Sequence, residues 1–205
     1  DPKCHPLGPN NKLVFAPGIV TGTVAPTSGR ISVGGKSPLT GTIKESNAGT
    51  KWAQQVAKLG IRAIVVEGQP EEQGWWGLHI TKDRVEFFDA EQYAGRGLYE
   101  MAPSVFERFG DRVGMMTIGI AGERKYANSG LSFNDQENRP SRYSGRGGLG
   151  AVAGSKGLKF IIVDDTDAPG VEIADKDLFN QGRKKMLNAL TSHDAMLREL
   201  FVECP

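Results

Sequence analysis

Cysteine, long apolar runs and, locally, acid are what this chain lacks. Its 205 residues hold 2 cysteines, Cys4 and Cys204, near opposite ends and with no Cys-x-x-Cys or Cys/His grouping between them. That spacing excludes a zinc or iron–sulfur site built from this sequence alone, and it reads as a reducing, cytoplasmic setting. No apolar run reaches the roughly 20 residues needed to cross a bilayer, so no membrane association is expected. Asp1-Pro2-Lys3-Cys4-His5 carries neither an initiator Met nor the apolar core of a signal peptide, which reads as a piece of a longer chain. His5, His79 and His193 are isolated from any Cys, Asp or Glu pattern that suggests a triad or a metal site. No catalytic acid, base or nucleophile is therefore assigned. The pattern G-x-x-x-x-G-K-[ST] is missing too, which excludes a nucleotide-triphosphate P-loop.

The net charge of +1 hides a segregation. From Pro2 to Lys44 there is no Asp or Glu, while Lys3, Lys12, Arg30, Lys36 and Lys44 are basic. From Asn138 to Val163 acid is again missing, beside Arg139, Arg142, Arg146, Lys156 and Lys159. Local positive potential without a basic protein suits a compact anionic ligand rather than a nucleic acid. Each acid-free stretch contains a Gly-rich turn, PGIVTGTVAPTSG in one and SGRGGLG in the other. Glycine lets the backbone approach a phosphate closely, and helix N-termini present unpaired N–H groups to it.

The hydrophobic pattern predicts strands interspersed with short helices, an α+β domain. Lys12–Ala16 and Arg30–Val33 read as strands, and KSPLTG as a turn. Ser46-Asn47-Ala48-Gly49 supplies N-cap candidates for a helix in TKWAQQVAKLG, which Gly60 ends. Ile61–Val66 reads as a buried strand, followed by the hairpin GLHI-TKD-RVEFF; a helical stretch then runs from Asp89 to near Gly110. Val113–Ile120, Ser129–Phe133 and Leu158–Val163 read as strands, and Gly148–Ser155 as a short helix of small residues. From Asp175 to Leu200 the set Leu178, Phe179, Met186, Leu187, Leu190, Leu197 and Leu200 predicts a helix in need of a partner surface. Trp52, Trp75 and Trp76 read as core or interface residues. Loop, helix and strand recur in the same order around residues 58–66 and 156–163, a weak internal repeat. It predicts pseudo-duplicated lobes of roughly residues 1–88 and 89–173, each with an anion site.

Gly145, Gly147 and Gly150 also fit the dinucleotide fingerprint G-x-G-x-x-G, with Asp164 about twenty residues downstream. The fingerprint needs a buried strand running into its first glycine, and Arg139-Pro140-Ser141-Arg142-Tyr143-Ser144 is not one. A nicotinamide-binding fold therefore stands as the alternative.

In this order, NNKLVFAPGIVTGTVAPTSGRISVGGKSPLTG, SNAG, LGIRAIVVEG, IGIAGE, GRGGLGAVAGSKGLK and IADKDLF resemble the N-terminal domain of the aldehyde:ferredoxin oxidoreductase family across almost the whole chain. The resemblance implies a base domain of two β-sheets with short helices, residues 1–173, on which a tungsten or molybdenum bis-pterin sits, with 174–205 opening a helical domain that follows. It implies that Arg30 and Arg142 contact the pterins, and that the Asn47 and Tyr143 main-chain carbonyls bind a magnesium ion bridging the two pterin phosphates. Ala48 and Gly49 continue the Asn47 loop, and Tyr143 stands where the family usually has a small residue. Lys36, Gly145 and Arg146 join the cofactor-binding set by charge and loop context.

For the complete enzyme the resemblance implies oxidation of aldehydes to carboxylic acids. Electrons would pass to a [4Fe–4S] cluster and then ferredoxin, with the cluster in further domains of the same protein, and a homodimer is one expected assembly. A non-catalytic scaffold of the same fold is the other reading. The stretch NDQENRPSRYSG is longer than in archaeal members, and the family's cluster cysteines and acid/base residues belong to the domains that follow. This piece alone is expected to be inactive.

Overall fold

The computed structural model describes residues 3–192, so His193, Leu197, Leu200 and Cys204 lie outside the described residues. Three strands come first, β1 (Leu13–Pro17), β2 (Arg30–Lys36) and β3 (Ile43–Gly49), then α1 (Lys51–Lys58) and β4 (Ile64–Val66). The hairpin β5 (Trp76–Ile80) and β6 (Val85–Asp89) leads through a single 3-10 turn, Glu91–Tyr93, to α2 (Leu98–Phe109). Then follow β7 (Gly114–Thr117), the one-turn α3 (Ile120–Glu123), β8 (Leu131–Phe133) and β9 (Arg142–Ser144). The short α4 (Leu149–Ser155), β10 (Leu158–Val163) and α5 (Lys176–Ser192) complete the described chain.

The strands form two sheets. The first is four-stranded, ordered β3-β2-β1-β4 and antiparallel throughout; the second is six-stranded, ordered β6-β5-β10-β7-β8-β9. Only the β10 and β5 pair runs parallel. The β5–β6 hairpin belongs to the second sheet, so the sheets divide between β4 and β5 and the expected boundary at residue 88 falls inside β6.

Both sheets share one core. Every residue of β10 is buried, and its side chains alternate between two layers, as strand geometry requires. Ile161 and Val163 join the core between the sheets; Phe160 and Ile162 pack with Met101, Val105 and Met115 on the face covered by α2. Trp52 of α1 is the wedge between the sheets. It lies 5.7 Å from Phe15 and 5.5 Å from Phe133, ring centre to ring centre, and its indole N–H donates to the Ile161 carbonyl at 2.9 Å.

Four details depart from the sequence expectation. Ser46-Asn47-Ala48-Gly49 does not cap a helix; it is the end of β3, in register with Ser32 and Arg30 of β2, and Thr50 is the cap. The expected buried strand at 61–66 shrinks to β4, whose Val65 is 50% exposed because β4 is an outer strand paired only to β1. The segment 113–120 ends as a strand at Thr117 and turns into α3. Strand β9 was not expected at all. Among the described residues of α5 none is buried, and Leu178 is 65% exposed.

Lys159 is the one charged residue of β10. It is fully buried, and its ammonium donates to the Ile118 carbonyl at 2.8 Å and pairs with Glu123 of α3. Burial lowers the Lys159 ammonium from its ordinary value while Glu123 opposes that shift. The pair ties α3 to the centre of the second sheet.

Candidate functional site

The outer strands of the two sheets meet on one side of the molecule. β3 ends the first sheet and β9 ends the second. The Ser144 hydroxyl donates to the Ser46 carbonyl at 3.2 Å, and the Arg146 N–H donates to the Ser46 hydroxyl at 3.2 Å. These bonds stitch two otherwise open sheet edges together, which is one way folds manage unpaired strand groups. At the seam lies a cavity of about 710 Å³, whose walls include Gly29, Arg30, Asn47, Ala48, Gly49, Thr50 and Lys51 from one side and Asp135, Ser141, Arg142 and Tyr143 from the other. A smaller cavity of about 410 Å³ adjoins it across Asn47 and Tyr143 and is lined by Glu45, Ser46, Gly145 and Arg146.

The residues singled out in the sequence are thereby mostly brought together. Arg30, Asn47, Ala48, Gly49, Arg142 and Tyr143 share the larger cavity; Asn47 and Tyr143 also line the smaller one with Gly145 and Arg146. Lys36 is the exception. It lies at the other end of β2 from Arg30, about 20 Å away at strand rise, beside Asn11, whose side chain bonds both the Lys36 N–H and carbonyl at 3.0 Å. Lys36 therefore lines a separate small cavity with Cys4, Asn10 and Asn11, not the seam.

Local structure explains the placement. Thr21, fully buried, donates from its hydroxyl to the carbonyls of Ser28 (2.5 Å) and Arg30 (3.2 Å), which pins the Gly- and Thr-rich loop against the start of β2. Arg30 stands opposite Gly49 in the β2–β3 register, and its guanidinium lies across that glycine: a Cβ added there would stand 3.9 Å from Arg30 Cζ. The Thr50 hydroxyl accepts from the Trp52 N–H (3.1 Å) and donates to the Asn134 carbonyl (3.2 Å), capping α1 and joining it to the second sheet.

The far wall is a tight loop built on Asp135. Its carboxylate accepts from the Glu137 N–H (2.9 Å), the Arg139 N–H (3.0 Å), the Arg139 Nε (2.8 Å) and the Ser141 hydroxyl (2.8 Å). Burial alone raises such a carboxyl, but these donors outweigh it and hold Asp135 well below the usual carboxylate range. The lining's one carboxylate is thus already consumed by Arg139. Because the folded value is depressed, the contribution is complete above the ordinary carboxyl value of 3.8 and is lost as pH falls from there through the folded value. Asp135→Asn is accordingly expected to lower stability by an amount constant from pH 5 to 8 that shrinks below about pH 4, read from urea midpoints of the two proteins. A difference that instead changed between pH 6 and 8 would contradict this assignment.

Lys51, Ser28, Gln54 and Asp135 were not anticipated. Lys51 is the first residue of α1, and its ammonium donates to Asn138 Oδ1 at 2.7 Å and to the Asp111 carbonyl at 3.3 Å. Arg30, Lys51 and Arg142 thus place three cations on one cavity, and among the described residues none of them is in an ion pair. By contrast Lys12, Lys58, Arg84, Arg96, Arg139 and Lys159 are all paired with carboxylates. The cavity's electrostatics fit a ligand carrying phosphate charge.

The glycine-rich run has another role than the one expected of it. Gly147, Gly148 and Gly150 are buried, and an added Cβ would meet Lys44 Cγ at 2.5 Å, the Ala127 carbonyl at 1.9 Å and the Gly130 carbonyl at 2.3 Å, respectively. Gly148 and Gly150 serve close backbone packing, and Gly147 makes room for the Lys44 side chain. Only Gly145, with open space around it, lines a cavity. The dinucleotide alternative fails on the same ground: the strand entering the run is β9, an outer antiparallel strand, not a buried parallel one.

The family signature described as "Aldehyde ferredoxin oxidoreductase, N-terminal domain" matches residues 1–165. The chain belongs to this family. It is 40% identical over 191 residues to the tungsten-containing aldehyde ferredoxin oxidoreductase of Pyrococcus abyssi, covering 93% of this chain and 30% of that protein. The corresponding enzyme of Thermococcus kodakarensis matches at the same identity and coverage. Among solved structures, the active site complex BamBC of benzoyl coenzyme A reductase with 1,5 dienoyl-CoA superposes with a TM-score of 0.82 at 28% identity, over 93% of this chain and 28% of that one. The chain therefore spans about 30% of the length of these relatives and corresponds to their N-terminal domain. Among the described residues no helix is long and apolar enough to cross a membrane.

Proposed function

We propose that this chain is the cofactor-holding base of a tungsten or molybdenum bis-pterin oxidoreductase. One observation carries the reading: Arg30 of β2, Lys51 at the start of α1 and Arg142 of β9, none of them in an ion pair among the described residues, converge on a single cavity. Arginine forks match phosphate oxygens in pairs, and charge-assisted bonds of this kind are about twice as strong as neutral ones. Arg30 and Arg142 would hold the phosphate end of one pterin, with Ala48 and Gly49 bringing backbone close to it. Gly145 and Arg146, on the adjoining cavity, would take the second phosphate. Asn47 and Tyr143, which line both cavities, would offer main-chain carbonyls to a magnesium ion between the phosphates, a hard cation that prefers oxygen.

The complete protein would oxidise an aldehyde and water to a carboxylic acid, releasing two protons and two electrons, the electrons reaching ferredoxin through a [4Fe–4S] cluster. When bound, the metal–pterin group supplies that redox chemistry. The residues described here bind and orient: the guanidinium groups offset phosphate charge, and the stitched seam of β3 and β9 fixes the spacing between the two anion sites. The cluster, the ferredoxin contact, any homodimer contact and the catalytic acid and base would reside in the remaining length of the protein. Elemental analysis and pterin release from the purified full-length protein test this reading. About one tungsten or molybdenum and two pterins per chain is the expected result; neither metal and no pterin, after growth with both metals supplied, would overturn it.

A further inference from the structure

The seam cavity does not end at the two arginines. Past Lys51, Gln54 and Gln136 it continues into a second space of about 550 Å³, lined also by Lys58, Asp111, Arg112, Asn138 and Asp165. Lys51 stands at the junction, on both linings, and it is held there rather than left to rotate. Asn138 Oδ1 accepts from Lys51 and also from Asn134 Nδ2 at 3.0 Å; Asn138 Nδ2 donates to the Asp111 carbonyl at 2.6 Å. Asn134 is in turn fully buried and bonded to the Val113 carbonyl and the Met115 N–H. Asn138 has a φ of +61°, a conformation asparagine tolerates better than most side-chain-bearing residues. A left-handed turn, a buried amide and a main-chain carbonyl thus fix one ammonium at the mouth between two cavities.

Both acceptors of that ammonium are neutral oxygens. An ammonium has three donors, so one remains for a ligand. Resting on the cofactor reading above, we propose that Lys51 is a third cationic anchor that selects the dianionic form of the phosphate monoester held by Arg30 and Arg142. Two guanidinium groups suffice for a monoanion; a preorganised third cation adds most when the second phosphate charge is present. The titratable lining of the cavity is otherwise Arg30, Asp135, Arg142 and Tyr143. Asp111, Asp135 and Asp165 favour the charged form of Lys51, against burial, which lowers it from its ordinary value. Asp135 and Asp165 are themselves held below the usual carboxylate range. Between pH 5 and 7.5 the ligand's second ionisation, near pH 6, is therefore the event that changes charge in the cavity.

The test uses the full-length protein produced in a host unable to make pterin, with methyl phosphate as the probe and ³¹P NMR titrations at pH 5 and 7.5. The wild type is expected to bind the dianion about tenfold more tightly than the monoanion, the scale of one hydrogen bond to a charged group. Lys51→Gln should reduce that ratio to about two or three and Lys51→Arg should retain it. Asn138→Ala, which frees Lys51 without removing its charge, should give an intermediate ratio. A Lys51→Gln protein with the wild-type melting temperature and an unchanged ratio overturns the proposal; so does full loss in Lys51→Arg, which would mark a packing role. The two readings separate cleanly. If Arg30→Gln and Arg142→Gln abolish binding while Lys51→Gln does not alter the ratio, only the role of Lys51 falls. If wild type binds no phosphate, or neither arginine matters, the cofactor site falls with it.

Discussion

Replacing Arg30 and Arg142 together with glutamine is expected to leave the full-length protein folded but nearly empty of tungsten and pterin. Each guanidinium would form charge-assisted bonds worth about 1.5–3 kcal/mol with the cofactor phosphate, so each single variant should lower cofactor retention by roughly tenfold or more. The double variant should do worse than either, though not by the full product, because on the proposed reading both side chains would act on one bound group. Arg→Lys at either position keeps the charge and loses the planar fork, so partial loading is expected there. The measurement is metal and pterin per chain after gel filtration, beside the melting temperature of the cofactor-free form. That melting temperature should not move, since both arginines are exposed and in no ion pair among the described residues. Wild-type loading in the double variant would end the reading of this cavity as the phosphate site.

How much of this was legible beforehand depends on which contacts define each residue's surroundings. β10 was read correctly to its ends because six consecutive buried positions leave an apolar signal that polar Lys159 does not break. The β5–β6 hairpin carried both its alternation and its turn in sequence. β3 did not: IKESNAG has no apolar alternation, and it is a strand because β2 pairs with it along its whole length. β9 has three residues and exists only against β8 and the Ser46 stitch, a tertiary fact. The acid-free stretches contain Arg30 and Arg142, but they also contain Lys12, Arg139 and Lys159, which find carboxylates from elsewhere in the fold; charge along the chain marks the stretches, and the resemblance singles out the two arginines. Lys51 carries neither signal. A lysine opening an amphipathic helix looks like a solvated face, and its direction comes from Asn138 and the Asp111 carbonyl, 87 and 60 positions away.

The same comparison reassigns the glycines, and here the expected effect on stability is largest. In α4 the Gly154 Cα faces the backbone of α3 so closely that an added Cβ would stand 2.0 Å from the Gly122 carbonyl oxygen. Gly122 answers from the other side, where a Cβ would meet Ile118 Cβ at 2.8 Å and the Gly150 carbonyl at 3.2 Å. The obstruction at Gly154 is backbone, not the flexible end of a side chain, so the helices must separate. α4 is buried along its whole length, which transmits any shift into the core. Gly154→Ala is therefore expected to cost about 3 kcal/mol, at the upper end of overpacking penalties. In a domain of this size that is a fall of about 6–12 °C in melting temperature. Gly145→Ala is the matched control: its Cβ meets nothing within 4 Å, and its melting temperature should stay near the wild type. If the run were instead a phosphate cradle, the order would reverse. Gly154→Ala would melt normally and lose cofactor, and backbone contact between α3 and α4 could no longer explain why this stretch of sequence is so rich in glycine.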